Sequence, residues 1–356
     1  MKRFFDNKMS LSRKLYKFHK SKYLLYLIFI YLFIIKYNKK SRPKISVFLP
    51  IYNKENYLVN CIKKLQNQTL KDIEIVAVND CSTDKSLEIL THLAINDTRI
   101  KIVNNDKNHG LLYSRAMGIL NSSGEFLMNL DPDDEIKDED SLEYIYNQSK
   151  FYNIDIIAFN AIDKKSNRII KCIDKNKIFK PPELFSSLFF SNHIIKEYVI
   201  WNKLIKKEIF LYAYEDFKEK IYNGKWNYFE DDIWNILVNK YAQSRLCVDK
   251  LVYIYNFNRE SLMNKRNGNI QYLNLIFRHE MYEKIFSLKK DQDYLIREYY
   301  FLLNRLKNKK SIFLLLNDRN LTYQITNIFQ LFLKKYNVSQ SNTKKINDFL
   351  KLISLH

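Results

Sequence analysis

Two short acidic runs are placed where they could do chemistry. Asp131-Pro132-Asp133-Asp134 puts three carboxylates into four residues, directly after the apolar run Glu125–Leu130 (EFLMNL). Glu230-Asp231-Asp232 puts three more just ahead of Ile233-Trp234-Asn235-Ile236-Leu237, whose apolar residues fall at helical spacing. Crowded carboxylates repel one another unless a cation lies between them. An oxygen-only donor set selects a hard cation, Mg²⁺ or Mn²⁺, and such ions commonly take one or two carboxylates and complete their shell with phosphate oxygens. Both runs also admit a plainer reading. Acids at a helix N-terminus cap it and complement its dipole, a contribution of about 0.5–2 kcal/mol.

The surrounding sequence indicates what would position these acids. Lys44–Pro50 (KISVFLP), Asp72–Val78 (DIEIVAV), Arg99–Val103 (RIKIV) and Glu125–Leu130 read as strands. Between them, Lys54–Gln68 carries apolar residues at helix spacing, a second helix starting at Ser82 or Thr83 runs through Leu93, and a third covers Leu111–Asn121 after the Asn108-His109-Gly110 turn. Strands alternating with helices of this length imply right-handed crossovers and a parallel sheet. Ligands of such sheets bind beyond the carboxyl ends of the strands. That directs attention to Pro50–Asn53, Asn79–Asp84, Asn108–Arg115 and Asp131–Asp134. No GxGxxG and no GxxxxGK[ST] follows the first strand, so neither a dinucleotide fold nor a P-loop has support.

Charge is unevenly spread over the 356 residues, which total +20. Residues 1–44 hold 13 Lys/Arg against Asp6 alone, whereas residues 45–140 hold 16 Asp/Glu against 10 Lys/Arg. A nucleic-acid-binding core would show the reverse, because phosphate contacts need cations on the binding domain itself, so no nucleic-acid partner is expected. Cys61, Cys81, Cys172 and Cys247 show no zinc spacing and read as small buried hydrophobes rather than a disulfide framework.

Tyr23–Ile35 (YLLYLIFIYLFII) is apolar on all sides and flanked by Lys22 and Lys36. As a helix it spans roughly 20 Å, short of a hydrocarbon core of ~30 Å unless the flanking lysines snorkel. It reads as a signal-anchor over 23–37, with 1–22 as a basic cytosolic tail. The heavier upstream charge implies a type II orientation, in the ER or Golgi if the cell is eukaryotic. No small-residue cleavage site follows, against a cleaved signal peptide. Residues 261–356 read as a helical C-terminal region of two to four helices.

In VFLPIYNKENYLVNCIKKLQNQTLKDIEIVAVNDCSTDKSLEIL and NHGLLYSRAMGILNSSGEFLMNLDPDD, the chain resembles the nucleotide-sugar-binding half of family 2 glycosyltransferases. The resemblance covers about 90 residues and four motifs in order. It implies a GT-A, Rossmann-like fold, with a mostly parallel sheet flanked by helices over residues 44–260. Residues 44–140 would hold the donor and 141–260 the acceptor. It further implies that Pro50 and Tyr52 line a nucleobase pocket, that Asp80 accepts from the base, and that Arg115 lies near the diphosphate or ribose. Asn79 departs from the family's more usual acid. Asp131 and Asp133 match the DXD motif, with Asp133 the likelier direct ligand of Mn²⁺ or Mg²⁺. Glu230-Asp231 matches the family's ED motif, with Asp231 as the base and Glu230 orienting it, while Asp232 remains an alternative. Trp201–Lys207 (WNKLIKK) resembles a segment common in members that build surface glycans, and no duty is assigned to it.

The implied activity is inverting, metal-dependent transfer of a sugar from a nucleotide-diphospho-sugar, with UDP expected, to a glycan or lipid-linked hydroxyl at a membrane. The alternatives are a sugar-phosphate nucleotidyltransferase and an inactive membrane-anchored carbohydrate-binding protein.

Overall fold

The computed structural model describes residues 42–172, 176–181, 199–222 and 230–256, with isolated positions between 326 and 351. The chain divides into two units, Met1–Arg42 and Pro43–His356, and the description concerns the second. The apolar run at 23–37 and most of the tail lie outside the described residues. Among the described residues no helix is long and apolar enough to cross a membrane.

The first half alternates as its hydrophobic pattern predicts. β1 (Ile45–Ile51), β2 (Ile73–Asn79), β3 (Ile100–Asn104) and β4 (Phe126–Asn129) are linked by α1 (Glu55–Gln66), α2 (Ser86–Asn96) and α3 (Leu111–Asn121). All four strands are parallel, in the order β3-β2-β1-β4. β1 is buried along its whole length, as a run covered on both faces must be.

The second half departs from the mostly parallel expectation. β5 (Glu135–Ile136), α4 (Ser141–Phe151), β6 (Ile156–Asp163), β7 (Arg168–Ile170), β8 (Ile178–Phe179), β9 (Lys203–Lys206), α5 (Lys207–Tyr222), α6 (Glu230–Tyr241) and β10 (Arg245–Tyr255) complete one mixed sheet. β9 runs antiparallel between β4 and β6, and β5 and β8 run antiparallel to β10. Only β6 and β10 are parallel here. The physical reason is connectivity. β6 turns straight into β7 as a hairpin, and a pair joined by a tight turn can only be antiparallel.

Alternate strand residues feed two cores. Ile45, Val47, Leu49 and Ile51 face Leu58, Ile62 and Leu65 of α1 and Leu142 of α4, whereas Phe48, Val76 and Val78 face Leu112 of α3 and the buried sides of α5 and α6. Ile346 from the C-terminal region joins the second core. Helix starts also differ from expectation. α2 begins at Ser86 rather than Ser82 or Thr83, because Ser82 Oγ and Thr83 N–H are taken by Asn53 (3.1 and 2.8 Å). Asp84 accepts from the backbone N–H of Ser86 (2.9 Å) and of Glu55 (3.0 Å), so one carboxylate caps the first turns of two helices.

Cys172 and Cys247, expected as separate thiols, are bonded to each other. Cys247 pairs with Ala158 of β6, and the Cys172 N–H is held by Asn160 of the same strand (2.9 Å), so a 75-residue separation closes at one place. Gly124 turns the chain into β4 against β1. A Cβ there would stand 2.5 Å from the Ser46 backbone nitrogen. Backbone cannot yield as a side chain can, so Gly124→Ala is expected to cost about 1–3 kcal/mol, read as a lower urea midpoint. A wild-type midpoint would contradict it.

Candidate active site

The carboxyl ends of β1, β2 and β4 meet on one edge, with the loops laced together. Asn53 and Cys81, at φ 52° and 58°, turn the chain sharply after β1 and β2. Pro50 is buried within β1, paired with Val78, while Tyr52 stands 45% exposed at the strand's end. Asp80 is 3% exposed and spends its oxygens on the loop ahead of α3. Oδ1 accepts from Asn105 Nδ2 (2.8 Å) and the His109 N–H (2.9 Å), and Oδ2 accepts from the Gly110 N–H (2.8 Å). Gly110, at φ 93°, is a backbone position suited to glycine. Asp80 thus shapes the Asn105–Gly110 loop as its first task.

Arg115, expected near the diphosphate or ribose, has its guanidinium 1% exposed and ties both acidic runs together. Nε donates to Asn129 Oδ1 (3.2 Å), Nη2 to Asp131 Oδ1 (3.2 Å), and Nη1 to Glu230 Oε1 (3.1 Å) and Asp231 Oδ1 (2.5 Å). Burial opposes its charge, but Asp231, Asp131 and Glu230 more than offset this and hold it firmly protonated. The fork-shaped donor set of arginine suits this task, and lysine could not reach four acceptors in one plane. The signal in the sequence was slight: Arg115 falls on the same α3 face as Leu112, Ala116 and Ile119.

The two acidic runs answer differently. Burial pushes the Glu230 carboxyl up to about 7, Arg115 opposing and Asp231 adding to the rise. Burial also raises Asp231, against the pull of Arg115. Asp134 is buried, accepts from Tyr253 OH and from the Asn256 N–H (both 2.7 Å), and is raised well above the ordinary range by burial and by Asp131 and Asp133. It is a structural acid. Asp131 and Asp133 keep side-chain exposures of 24% and 14%. Lys54, at the start of α1, reaches Asp133 at 2.6 Å, tying the loop after β1 to the loop after β4. The side chain of Asp232 lies outside the described residues.

Two partly open carboxylates on one turn, with oxygen donors alone, fit a hard divalent cation. Among the described residues no group of three or more His, Cys, Asp or Glu forms a complete cage. An ion here would therefore draw further ligands from phosphate and water, as Mg²⁺ does. Sequence reasoning missed Lys54, Asn129, Tyr253 and Asn256, because their roles depend on contacts between segments as far as 123 residues apart.

A model of the family described as glycosyl transferase family 2 matches residues 46–210. Over that stretch the chain is similar to the family. The resemblance read from the motif order is thereby borne out. Among curated relatives, the uncharacterized glycosyltransferase EpsJ of Bacillus subtilis is 29% identical over 223 residues, covering 62% of this chain and 63% of its own. Glycosyltransferase GlyA of Streptococcus pneumoniae is 32% identical over 227 residues, covering 62% and 31%. The chain thus spans less than two thirds of the length of either. The GalNAc(5)-diNAcBac-PP-undecaprenol beta-1,3-glucosyltransferase of Campylobacter jejuni is 27% identical over 265 residues, covering 71% and 78%. Among solved structures, S. aureus TarS superposes with a TM-score of 0.59 at 19% identity, over 88% of this chain and 52% of that one. TarS 1–349 in complex with UDP-GlcNAc gives 0.55 at 18%, over 87% and 90%. These likenesses establish the GT-A-like fold.

Proposed function

We propose that this chain is an inverting, metal-dependent family 2 glycosyltransferase. It moves a sugar from a UDP-sugar to a hydroxyl of a glycan or lipid-linked acceptor at a membrane. One observation carries the reading: a single buried guanidinium joins the strand-end carboxylate Asp131 to the helix-start carboxylates Glu230 and Asp231. The leaving-group side and the acceptor side of a displacement are therefore held by one side chain. The UDP-GlcNAc complex of TarS supports the donor class. The polyprenyl-linked substrate in the name of the Campylobacter relative supports the acceptor class. The apolar run Tyr23–Ile35 between lysines supports the membrane setting.

Tyr52 offers an exposed ring for a nucleobase beside Pro50 and Asp80. Asp131 and Asp133 would hold Mn²⁺ or Mg²⁺. When bound, the ion supplies Lewis-acid neutralisation of the departing diphosphate. Asp231 takes the proton of the acceptor hydroxyl as that oxygen attacks C1, the C1–O bond to the diphosphate breaks, and UDP departs. Glu230 orients Asp231. Attack from the face opposite the leaving group inverts the anomeric centre, through an oxocarbenium-like transition state.

Incubation with a panel of UDP- and GDP-sugars, with and without Mn²⁺, tests this. UDP release should require the metal and fall at least about a hundredfold in Asp133→Ala, the equivalent of several kcal/mol of charge stabilisation. Pyrophosphate release from a nucleoside triphosphate would instead point to nucleotidyl transfer, and sugar binding without turnover to a binding protein.

A further inference from the structure

The Trp201-Asn202-Lys203 motif has no duty in the scheme above, yet its corner touches both acidic runs. Lys203, the first residue of β9, is 0% exposed. A buried ammonium must find acceptors. Its Nζ donates to the Val199 carbonyl (2.5 Å) and to Asn202 Oδ1 (2.7 Å), curling the segment ahead of β9 back onto the strand's first residue. The Asn202 carbonyl accepts from the Phe159 N–H of β6 (3.1 Å), which seats the corner on the sheet.

From this corner two connections run outward. The Ile200 backbone and the charge of Lys203 both favour the ionised form of the Asp231 carboxyl. In the other direction, Trp201 stacks on Tyr253 with ring centroids 4.6 Å apart. The Tyr253 hydroxyl donates to Asp134 (2.7 Å) and accepts from the Asp131 N–H (3.3 Å). One short segment therefore acts on the base on one side and braces the Asp131–Asp134 turn through Tyr253 on the other.

We propose that the Val199–Lys203 corner is the positioning element that sets Asp231 against the Asp131–Asp134 turn, and that Lys203 is its positioning residue. This rests on the reading of Asp231 as the base. It explains why a lysine is tolerated with no exposure beside β9, where an apolar residue would pack at lower desolvation cost. Among the described residues, Arg115 from α3, Asp131 from the turn after β4 and Lys203 from β9 act on the charge of Asp231, which in turn acts on Glu230 of its own helix. Of the two cations, Lys203 is the one that the corner itself supplies.

The test is a double-mutant cycle of Lys203→Met and Asp231→Asn, with UDP release from the UDP-sugar turned over fastest in the donor panel and thermal unfolding measured alongside. Lys203→Met should lower kcat about 10- to 100-fold with the donor KM within about threefold, the scale of a misplaced catalytic group. Its acid limb should move to higher pH, since a lost cation disfavours the carboxylate. In the Asp231→Asn background the same change should produce no further loss, because the effect passes through Asp231. Equal losses in both backgrounds with an unmoved limb would make the corner mere packing and overturn the proposal, as would wild-type kcat. Full activity of Asp231→Asn alone would remove the base assignment instead, and this inference with it. If Lys203→Met does not fold, Asn202→Ala, which removes one acceptor of the ammonium and keeps its charge, carries the same cycle. A smaller, equally non-additive loss is expected, and an additive one would sink the proposal.

Discussion

Arg115→Met should cost the protein about 3–5 kcal/mol of stability at neutral pH, the penalty for stripping a buried ionic cluster of its cation. The side chain is 1% exposed and is the hydrogen-bonded counter-ion of Asp131, Glu230 and Asp231. Methionine fills much of the volume, so the loss reports charge and hydrogen bonds rather than a cavity. Three carboxylates would then face one another with Arg115 gone. The loss should depend on pH in a definite direction. In the wild type, Glu230 holds its proton to about pH 7, whereas in the unfolded chain it releases it near its ordinary 4.5. The folded state thus binds more protons across that window, and this group's contribution to stability falls as pH rises from about 4.5 to 7. Removing Arg115 removes what holds that carboxyl down, so the gap between variant and wild type should be wider at pH 8 than at pH 5. Urea unfolding at the two pH values measures both quantities. Equal midpoints at pH 8 would show that the cluster is not held by Arg115.

Asp231→Asn should lower kcat about 10²- to 10⁴-fold, the range expected for loss of a positioned general base. Asparagine keeps the shape and can still accept from Arg115, so the fold and UDP affinity should change little. Burial and Asp131 raise the Asp231 carboxyl, with Arg115 and Lys203 opposing, and the base acts only when ionised. In the wild type kcat should therefore rise with pH through a limb above the ordinary aspartate value, and the limb should vanish in the variant. Steady-state UDP release across pH, with UDP binding by calorimetry, checks both. Unchanged kcat in Asp231→Asn, with loss instead in a Glu230→Gln variant, would move the base to Glu230.

Much of the donor half could be read directly. Strands β1 to β4 are short apolar runs between helices of the right length, and the parallel order follows because each crossover returns the chain the same way. The two acidic runs were visible as types and spacing. The exchange of caps was not. Asp84 serves α1 as well as α2, and Ser82 and Thr83 bind Asn53, because loops adjacent in space compete for the same donors. The disulfide between Cys172 and Cys247 was hidden for the same reason: neither cysteine carries a local signal, and only the β6–β10 pairing brings them together.

The acceptor half is where local pattern ran out. The hairpin of β6 and β7 and the reversal at β9 depend on pairing partners far along the chain, so periodicity alone could not set their direction. Arg115 shows the division most sharply. Its sequence context placed it on a helix, and it lies on α3. The number of acids it serves was decided by folding, since Asp131 lies 16 residues away and Asp231 lies 116. Residue order alone determined the resemblance to family 2, the parallel half-sheet and the identity of the acidic runs, because these rest on side-chain chemistry repeated at short range. Tertiary structure alone decided which acid is buried, which stays open and what neutralises each, because burial and charge pairing are properties of neighbours in space.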